Sequence, residues 1–468
     1  LQRYWGAVEY DPAAGSIRLG GVDAAVLARS YGTPLVVLNE AEIRDRCRRY
    51  RQAFAAAGAH DARVIYAGKA LCTVAVCQLM AEEGLGLDVV SGGELYTALA
   101  AGFPPERIVF HGNNKTEDEL RRALEAGVGR IVVDNFNELD RLSRLAAGRG
   151  EPVPVLLRVV PGVEAHTHHY IQTGKQDTKF GFDIAGGQAL AAVERVLARP
   201  RLNLMGLHCH IGSQIFDLEP YRLTVQRVFA FLAEVRERTG WTAEELDLGG
   251  GLGVRYVPED RPPDIETLVQ VLVDEARAAA ARHGLPQPRL MVEPGRSIVG
   301  EAGVTLYTVG SIKRLEGVRT YVAVDGGMME NPRPALYGAR YTALLAAGPG
   351  SVPAGQRRPE TVAVVGRACE SGDVLVPETV LPEPAEGDLI ALLTTGAYTY
   401  SMASHYNKFP RPAVVMLDGS RARVIVERER YHDLIRGERP LRPRARVADR
   451  PTRAGRLARR FEPGPQDA

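Results

Sequence analysis

Between residues 60 and 295 the chain repeats one unit: a short β-rich run, a polar or glycine turn, then a helical stretch. The runs are RVIYA (63–67), LDVV (87–90), RIVFH (107–111), RIVVD (130–134), PVLLRVV (154–160), LNLMGLH (202–208), ELDLG (245–249) and RLMVE (289–293). Between them lie stretches such as ELYTALAAG, EDELRRALEAG, GQALAAVERVLAR and ETLVQVLVDEARAAAARHG. Several of these stop at glycine, which enters the left-handed backbone that ends a helix without steric cost. Strands alternating with helices predict parallel βαβ units, because parallel neighbours need a long crossover. Eight such units predict closure into a (β/α)8 barrel, expected over residues 35–300.

Past residue 300 the character changes. VTLYTVGSIKR, TYVAVDGG, ETVAVVG, DLIALLTT and RARVIVERE are strand-like, with turn residues between them and little helical period. They predict a second, mainly antiparallel β domain over residues 301–437, to which the N-terminal residues 1–34 are assigned. A length of 468 residues fits two cores better than one. Residues 438–468, rich in Arg and Pro and poor in large apolar side chains, read as a disordered tail. A formal net charge of +1 gives no reason to expect nucleic acid or an anionic membrane as partner. No apolar run has the length of a membrane span, and LQRYWGAVEYD lacks the layout of a secretory signal. The five cysteines, Cys47, Cys72, Cys77, Cys209 and Cys369, form no disulfide-like framework, so a reducing cytoplasm is expected. Cys72 and Cys77 read as core residues of a helix face.

In a barrel of this kind, functional side chains project from the C-terminal strand ends. There the chain places Lys69 in YAGKA, His208 and His210 in HCHIGSQ, the glycines of LGGGLG (248–253), and Glu293 with Arg296 in EPGR. A lone lysine after a strand is ordinarily a solvated surface group. Lys69, however, follows the apolar run VIYAG, and desolvation there would favour the neutral amine that Schiff-base chemistry needs. LGGGLG can be a plain tight turn, or a backbone that lets N–H groups approach a phosphate closely. EPGR can be a surface ion pair, or a carboxylate set against a pyridine nitrogen to keep it protonated. HCHIGSQ, with His166, His168 and His169 upstream, raises zinc. No carboxylate or cysteine at ligand spacing completes a set, so no metal is expected. His210 packed on a flat aromatic ring, with Ser213 bonding a phosphate, accounts for the same string.

Taken in order, these motifs resemble those of the fold-type III decarboxylases that use pyridoxal phosphate, the branch acting on diaminopimelate in particular. The resemblance runs from about residue 30 to 435 and includes YAGKA (66–70), AHTHHYIQTGKQDTKFGF (165–182), GLHCHIGSQ (206–214), LGGGLG, EPGR, RPALYGA (333–339), ACESGD (368–373) and GAYTYSMASHYN (396–407). It implies that Lys69 holds the cofactor as a Schiff base, that Glu293 faces the pyridinium nitrogen and that His210 stacks on the ring. It also implies that Ser213, Gly249, Gly250, Gly251 and the Gly295–Arg296 turn surround the phosphate, and that Tyr398 contacts the cofactor from the second domain. Arg296, Arg333, Tyr337, Glu370 and Tyr398 would bind substrate. Cys369, the candidate proton donor, and Glu370 would come from the partner subunit of a homodimer that builds each site across its interface.

The reaction so implied is decarboxylation of meso-2,6-diaminopimelate to L-lysine and carbon dioxide, the last step of lysine biosynthesis. Arg333 suits a distal carboxylate and Glu370 a distal ammonium. Ornithine, arginine or a carboxylated polyamine are the alternative substrates, and an inactive cofactor-binding homologue is the alternative class. A racemase would have no use for CESGD or RPALYGA. Arg367 stands where the family commonly has proline, and the arginine-rich tail lies outside the resemblance.

Overall fold

In the computed structural model, the protein is described over residues 1–164, 178–348 and 352–441. Residues 165–177, with His166, His168 and His169, lie outside the described residues, as does the tail from 442 onward.

All eight runs form strands: β1 (Arg63–Ala67), β2 (Gly86–Val89), β3 (Ile108–Phe110), β4 (Arg130–Val133), β5 (Val153–Val160), β6 (Leu202–His208), β7 (Glu245–Asp247) and β8 (Arg289–Val292). Each pairs in parallel with the next, β8 returns to β1, and the sheet closes as a barrel. The crossover helices carry the expected stop and start signals. The helix Glu117–Ala126 opens on a reciprocal Thr116–Glu119 capping box and ends at Gly127 with φ 72°. No helix among the described residues is long and apolar enough to cross a membrane.

Strand side chains alternate in direction, and in a closed barrel one set must point inward. Low in the barrel that set is apolar: Ile65, Val109, Val132, Leu156 and Met291 pack together with Met205 against them. Two residues further along the same strands, the inward positions are Ala67, His111, Asp134, Arg158 and Glu293. The ladder register sets Asp88 beside Ala67, and His208 beside both Arg158 and Asp247. An apolar plug therefore carries a ring of charged and polar groups on its upper side. The outward set, including Val64, Tyr66, Val133 and Leu157, joins the large core beneath the helices.

The two barrel ends treat buried charge differently. At the lower end Glu245, 1% exposed, accepts two hydrogen bonds from Arg130 (2.7 and 2.8 Å) and one from Arg289 (3.2 Å). At the upper end Asp88 Oδ1, Asp134 Oδ1, Asp247 Oδ2 and Glu293 Oε1 are buried without a well-aligned donor. Buried polar atoms are nearly always satisfied, so a group of orphans marks a place made for something else.

The second domain is a nine-stranded, mainly antiparallel sheet, as its runs predict. Its central strand Gly303–Leu315 lies between Leu35–Asn39 and Leu389–Leu393. Leu35–Asn39 pairs on its other side, in parallel, with Ala413–Asp418. The helix Glu40–Ala56 then leads from this sheet to the barrel. Val8, Tyr10, Ile17 and Leu19, from the N-terminal strands, pack in the same core as this sheet. The domains meet beside β1, where the Tyr398 N–H and the Ser401 hydroxyl both donate to the Ala70 carbonyl (2.9 and 3.0 Å).

Candidate active site

Over the polar ring, at the upper mouth of the barrel, is a cavity of about 450 Å³. Lys69, His210, Ser213, Glu293 and Arg296 reach it from the barrel, and Arg333, Tyr337 and Tyr398 from the second domain. A smaller recess of about 50 Å³ adjoins it, lined in part by Gly250, Gly251 and Gly295. Gly249 lies one residue before that lining.

Lys69 sits in a single 3-10 turn, Gly68–Ala70, which lifts it off the end of β1. Gly68 is needed there, since a Cβ would come within 2.6 Å of the Asp88 carbonyl. The apolar run VIYAG predicts desolvation that favours a neutral amine. The side chain is open to the cavity, yet the protein crowded around it does pull the ammonium down; Tyr398, Asp88 and Glu293 together outweigh that and hold the group above the ordinary lysine value. The resting Lys69 is a cation, because acidic groups surround it.

Glu293 follows β8 directly and lies between two imidazoles. His208 Nε2 is 3.0 Å from Oε2, and His111 Nε2 is 2.5 Å from Oε1 but out of line for a hydrogen bond. Burial alone would push this carboxyl up. His111 and His208 outweigh it and hold it well below the usual carboxylate range. The result is an anionic carboxylate in a nearly dry position with one oxygen left for a further donor.

His210 lines both the cavity and the recess, its Nδ1 accepting the Gly250 N–H at 3.3 Å. Burial, with the Lys69 and Arg158 charges, pushes it well below the ordinary histidine value, so it presents a neutral, flat ring.

The recess has the shape its glycines allow. A Cβ on Gly250 would lie 2.2 Å from the Glu293 carbonyl, and one on Gly251, at φ +114°, 2.6 Å from the Gly212 carbonyl. Side chains at these positions would fill the cradle or force its walls apart. Arg296 closes the recess: its Nη2 donates to Ser213 Oγ (2.9 Å), its Nη1 to Tyr256 Oη, and its guanidinium lies 4.7 Å from the Tyr398 ring centre. Across the cavity Arg333, 6% exposed, donates to Tyr341 Oη (2.6 Å) and lies 4.7 Å from the Tyr256 ring centre.

Cys369 and Glu370 are not brought to this cavity within one chain. Both are exposed on the loop between Pro359–Val365 and Val374–Pro382, with the Cys369 N–H donating to Asn407 Oδ1 at 2.7 Å.

Sequence reasoning passed over Asp88, His111, Asp134, Arg158 and Asp247. The signal was available, since each is a polar residue within or at the end of an apolar barrel strand, where burial is costly without a purpose. His208, considered as half of an HxH pair, instead faces Glu293. Ligand atoms of His111, His208, Asp247 and Glu293 all lie within 4.8 Å of one another, an arrangement that could hold a metal ion. That set comes from four separate strands, which is why ligand spacing along the chain could not disclose it. Lys69 and the glycine recess have no use in such a metal centre. Together with Glu293 they fit a phosphorylated pyridine aldehyde: an amine for the aldehyde carbon, an anionic oxygen for the ring nitrogen and a side-chain-free cradle for the phosphate.

Comparison with known proteins agrees with that chemistry. A family model described as pyridoxal-dependent decarboxylase, pyridoxal binding domain, matches residues 40–300. The diaminopimelate decarboxylase of Bacillus subtilis (strain 168) is 51% identical over 428 residues, 92% of this chain and 96% of the relative. That of Mycobacterium tuberculosis (strain ATCC 25618 / H37Rv) is 46% identical over 431 residues, 90% of this chain and 94% of the relative. Among solved structures, diaminopimelate decarboxylase from M. jannaschii in co-complex with L-lysine superposes with a TM-score of 0.85 at 35% identity, covering 93% of this chain and 99% of that one.

Proposed function

Since the chain belongs to the pyridoxal-dependent decarboxylases, and within them to the diaminopimelate decarboxylases, we propose that it converts meso-2,6-diaminopimelate to L-lysine and carbon dioxide. The observation that carries the reading is the convergence of Lys69, the anionic Glu293 and the glycine recess on one cavity. Bound there, pyridoxal phosphate supplies an electron sink for the pair left at Cα when the carboxylate departs.

The chain's own residues divide the remaining work. Lys69 Nζ would hold the cofactor's aldehyde carbon and, once displaced by the substrate amine, remain beside it. Glu293 would keep a proton on the ring nitrogen, and His210 would lie flat against the ring. Ser213, Gly249, Gly250, Gly251, Gly295 and Arg296 would enclose the phosphate, with Tyr398 over Arg296. Arg333 and Tyr337, on the far wall, would take the distal end of the substrate, and Arg296 and Tyr398 would meet its near side. Arg333 lies against the phenol rings of Tyr256 and Tyr341. A substrate carboxylate there would gain a charge-assisted pair in a dry setting. By holding the two ends of the substrate, these residues would fix its orientation and so decide which Cα bond is presented for cleavage. The L-lysine bound in the M. jannaschii relative supports lysine as the product.

Cys369 would return a proton to Cα and Glu370 would bind the distal ammonium, both from a second copy of the chain. Their exposure in one chain supports a homodimer with shared sites. A reducing cytoplasm would suit Cys369, which has to remain a thiol. Mixing inactive Lys69→Ala and Cys369→Ala subunits should restore one competent site per hybrid dimer. Activity that stays at the level of the unmixed variants would exclude shared sites.

The reading is tested by offering the protein, with added pyridoxal phosphate, meso-diaminopimelate, ornithine, arginine and a carboxylated polyamine in turn. Carbon dioxide and L-lysine are expected from the first alone, and comparable release from ornithine would replace the substrate assignment. Arg333→Ala should raise the KM for diaminopimelate about 10- to 100-fold, the loss expected for a charged hydrogen-bonded pair, with a smaller effect on kcat. An unchanged KM would remove Arg333 from the distal end.

A further inference from the structure

Behind the recess, on the side away from the cavity, a buried arginine joins the two loops that form it. Arg46, on the helix Glu40–Ala56, is 9% exposed. Its Nη1 donates to the Ser297 carbonyl (3.1 Å), and its Nη2 to Glu301 Oε2 (2.5 Å) and Glu42 Oε1 (2.8 Å). The other oxygen of Glu301 accepts the backbone N–H of Arg255 at 2.8 Å. Arg255 directly continues the glycine run after β7, while Ser297 follows the Gly295–Arg296 turn after β8 and itself lines the recess. One helical turn beyond Arg46, Tyr50 Oη lies 2.7 Å from Ser297 Oγ.

We infer that Arg46, which holds both Ser297 and Glu301 on the segment after β8 and, through Glu301, the Arg255 N–H on the segment after β7, is the positioning residue that presets the spacing of the phosphate recess. The inference rests on the recess being the phosphate site. The physical need is clear in the loop itself. Gly249, Gly250, Gly251 and Gly253 bring no side chains that could pack and fix it, and glycine has the largest backbone freedom to lose. If those N–H groups were ordered only when the anion arrived, binding would carry the ordering cost. A brace outside the cavity fixes them beforehand without filling the cradle. A buried Arg–Glu pair is a weak source of net stability, which suits a positional role better than a stabilising one.

The test uses apoenzyme titrated with pyridoxal 5'-phosphate and, separately, with pyridoxal, which lacks the phosphate, following cofactor absorbance. The double variant Arg46→Met/Glu301→Gln removes both charges together, so neither is left buried alone. It should bind pyridoxal phosphate about tenfold more weakly, as expected for the loss of charged hydrogen bonds, while pyridoxal binding changes little. Equal weakening of both ligands would mean general loosening of the fold and would overturn the inference, as would unchanged affinity for the phosphate form. Arg46→Lys, which keeps the charge but cannot span Ser297 and Glu301 together, makes the same comparison if the double variant does not fold. Wild-type protein showing no preference for the phosphorylated form would overturn the recess reading itself, and this inference with it.

Discussion

Lys69→Ala is expected to lower carbon dioxide release from meso-diaminopimelate by more than about 10⁴-fold, the scale on which a covalent catalytic group is missed. The position offers no substitute. Lys69 stands on a turn that holds it clear of the strand end, and the neighbouring acidic groups have no nucleophilic nitrogen. Borohydride reduction should fix the cofactor to residue 69 in the wild type and leave it removable by dialysis in the variant. The two readouts separate loss of the attachment point from loss of the fold, because the recess and Glu293, as proposed cofactor contacts, would remain to bind it noncovalently. Turnover within tenfold of wild type would end the assignment of Lys69.

Glu293→Gln should reduce kcat about 10²- to 10³-fold, as expected when a preorganised charge facing the reacting system is removed. His208 can still hydrogen-bond to the amide, so the geometry around position 293 has support. A neutral amide cannot keep a proton on the pyridine nitrogen, and without that proton the ring is a poorer electron sink. If the glycine recess takes the phosphate, cofactor affinity should change much less than kcat. A variant that loses affinity and keeps kcat would make Glu293 a binding group and no more.

The barrel was readable because each strand is a short apolar run bounded by turn residues, and eight in succession leave few other folds. Lys69, Glu293, Arg296 and the glycines were readable because they stand just past strand ends, where a motif interrupts the period. The ring around them was harder. Asp88 in LDVV and Arg158 in PVLLRVV sit within strands, and whether such a residue points into the barrel or under a helix depends on register, which appears only when neighbours pair. The charge on Lys69 was misjudged for a related reason: the apolar lead-in VIYAG was evident, but Tyr398 and Glu293 approach it from far along the chain. Arg46 had no signal of its own. In RDRCRRY it is one arginine among several on an amphipathic helix, and only the packing separates it from its solvated neighbours.

The strand Leu35–Asn39 has a consequence in time as well as in space. Its sheet neighbours Gly303–Leu315 and Ala413–Asp418 are synthesised about 260 and 370 residues after it. At common elongation rates the second of them takes roughly 20 to 75 s to appear. Both edges of this apolar strand are open while the whole barrel is made behind it, and one stays open until Ala413–Asp418 appears. Tyr398 and Arg333 are also made after the barrel, so the cavity gains its second-domain wall only late in synthesis. An open strand edge therefore persists for some time after the barrel is complete, which is a hazard for strand-edge association.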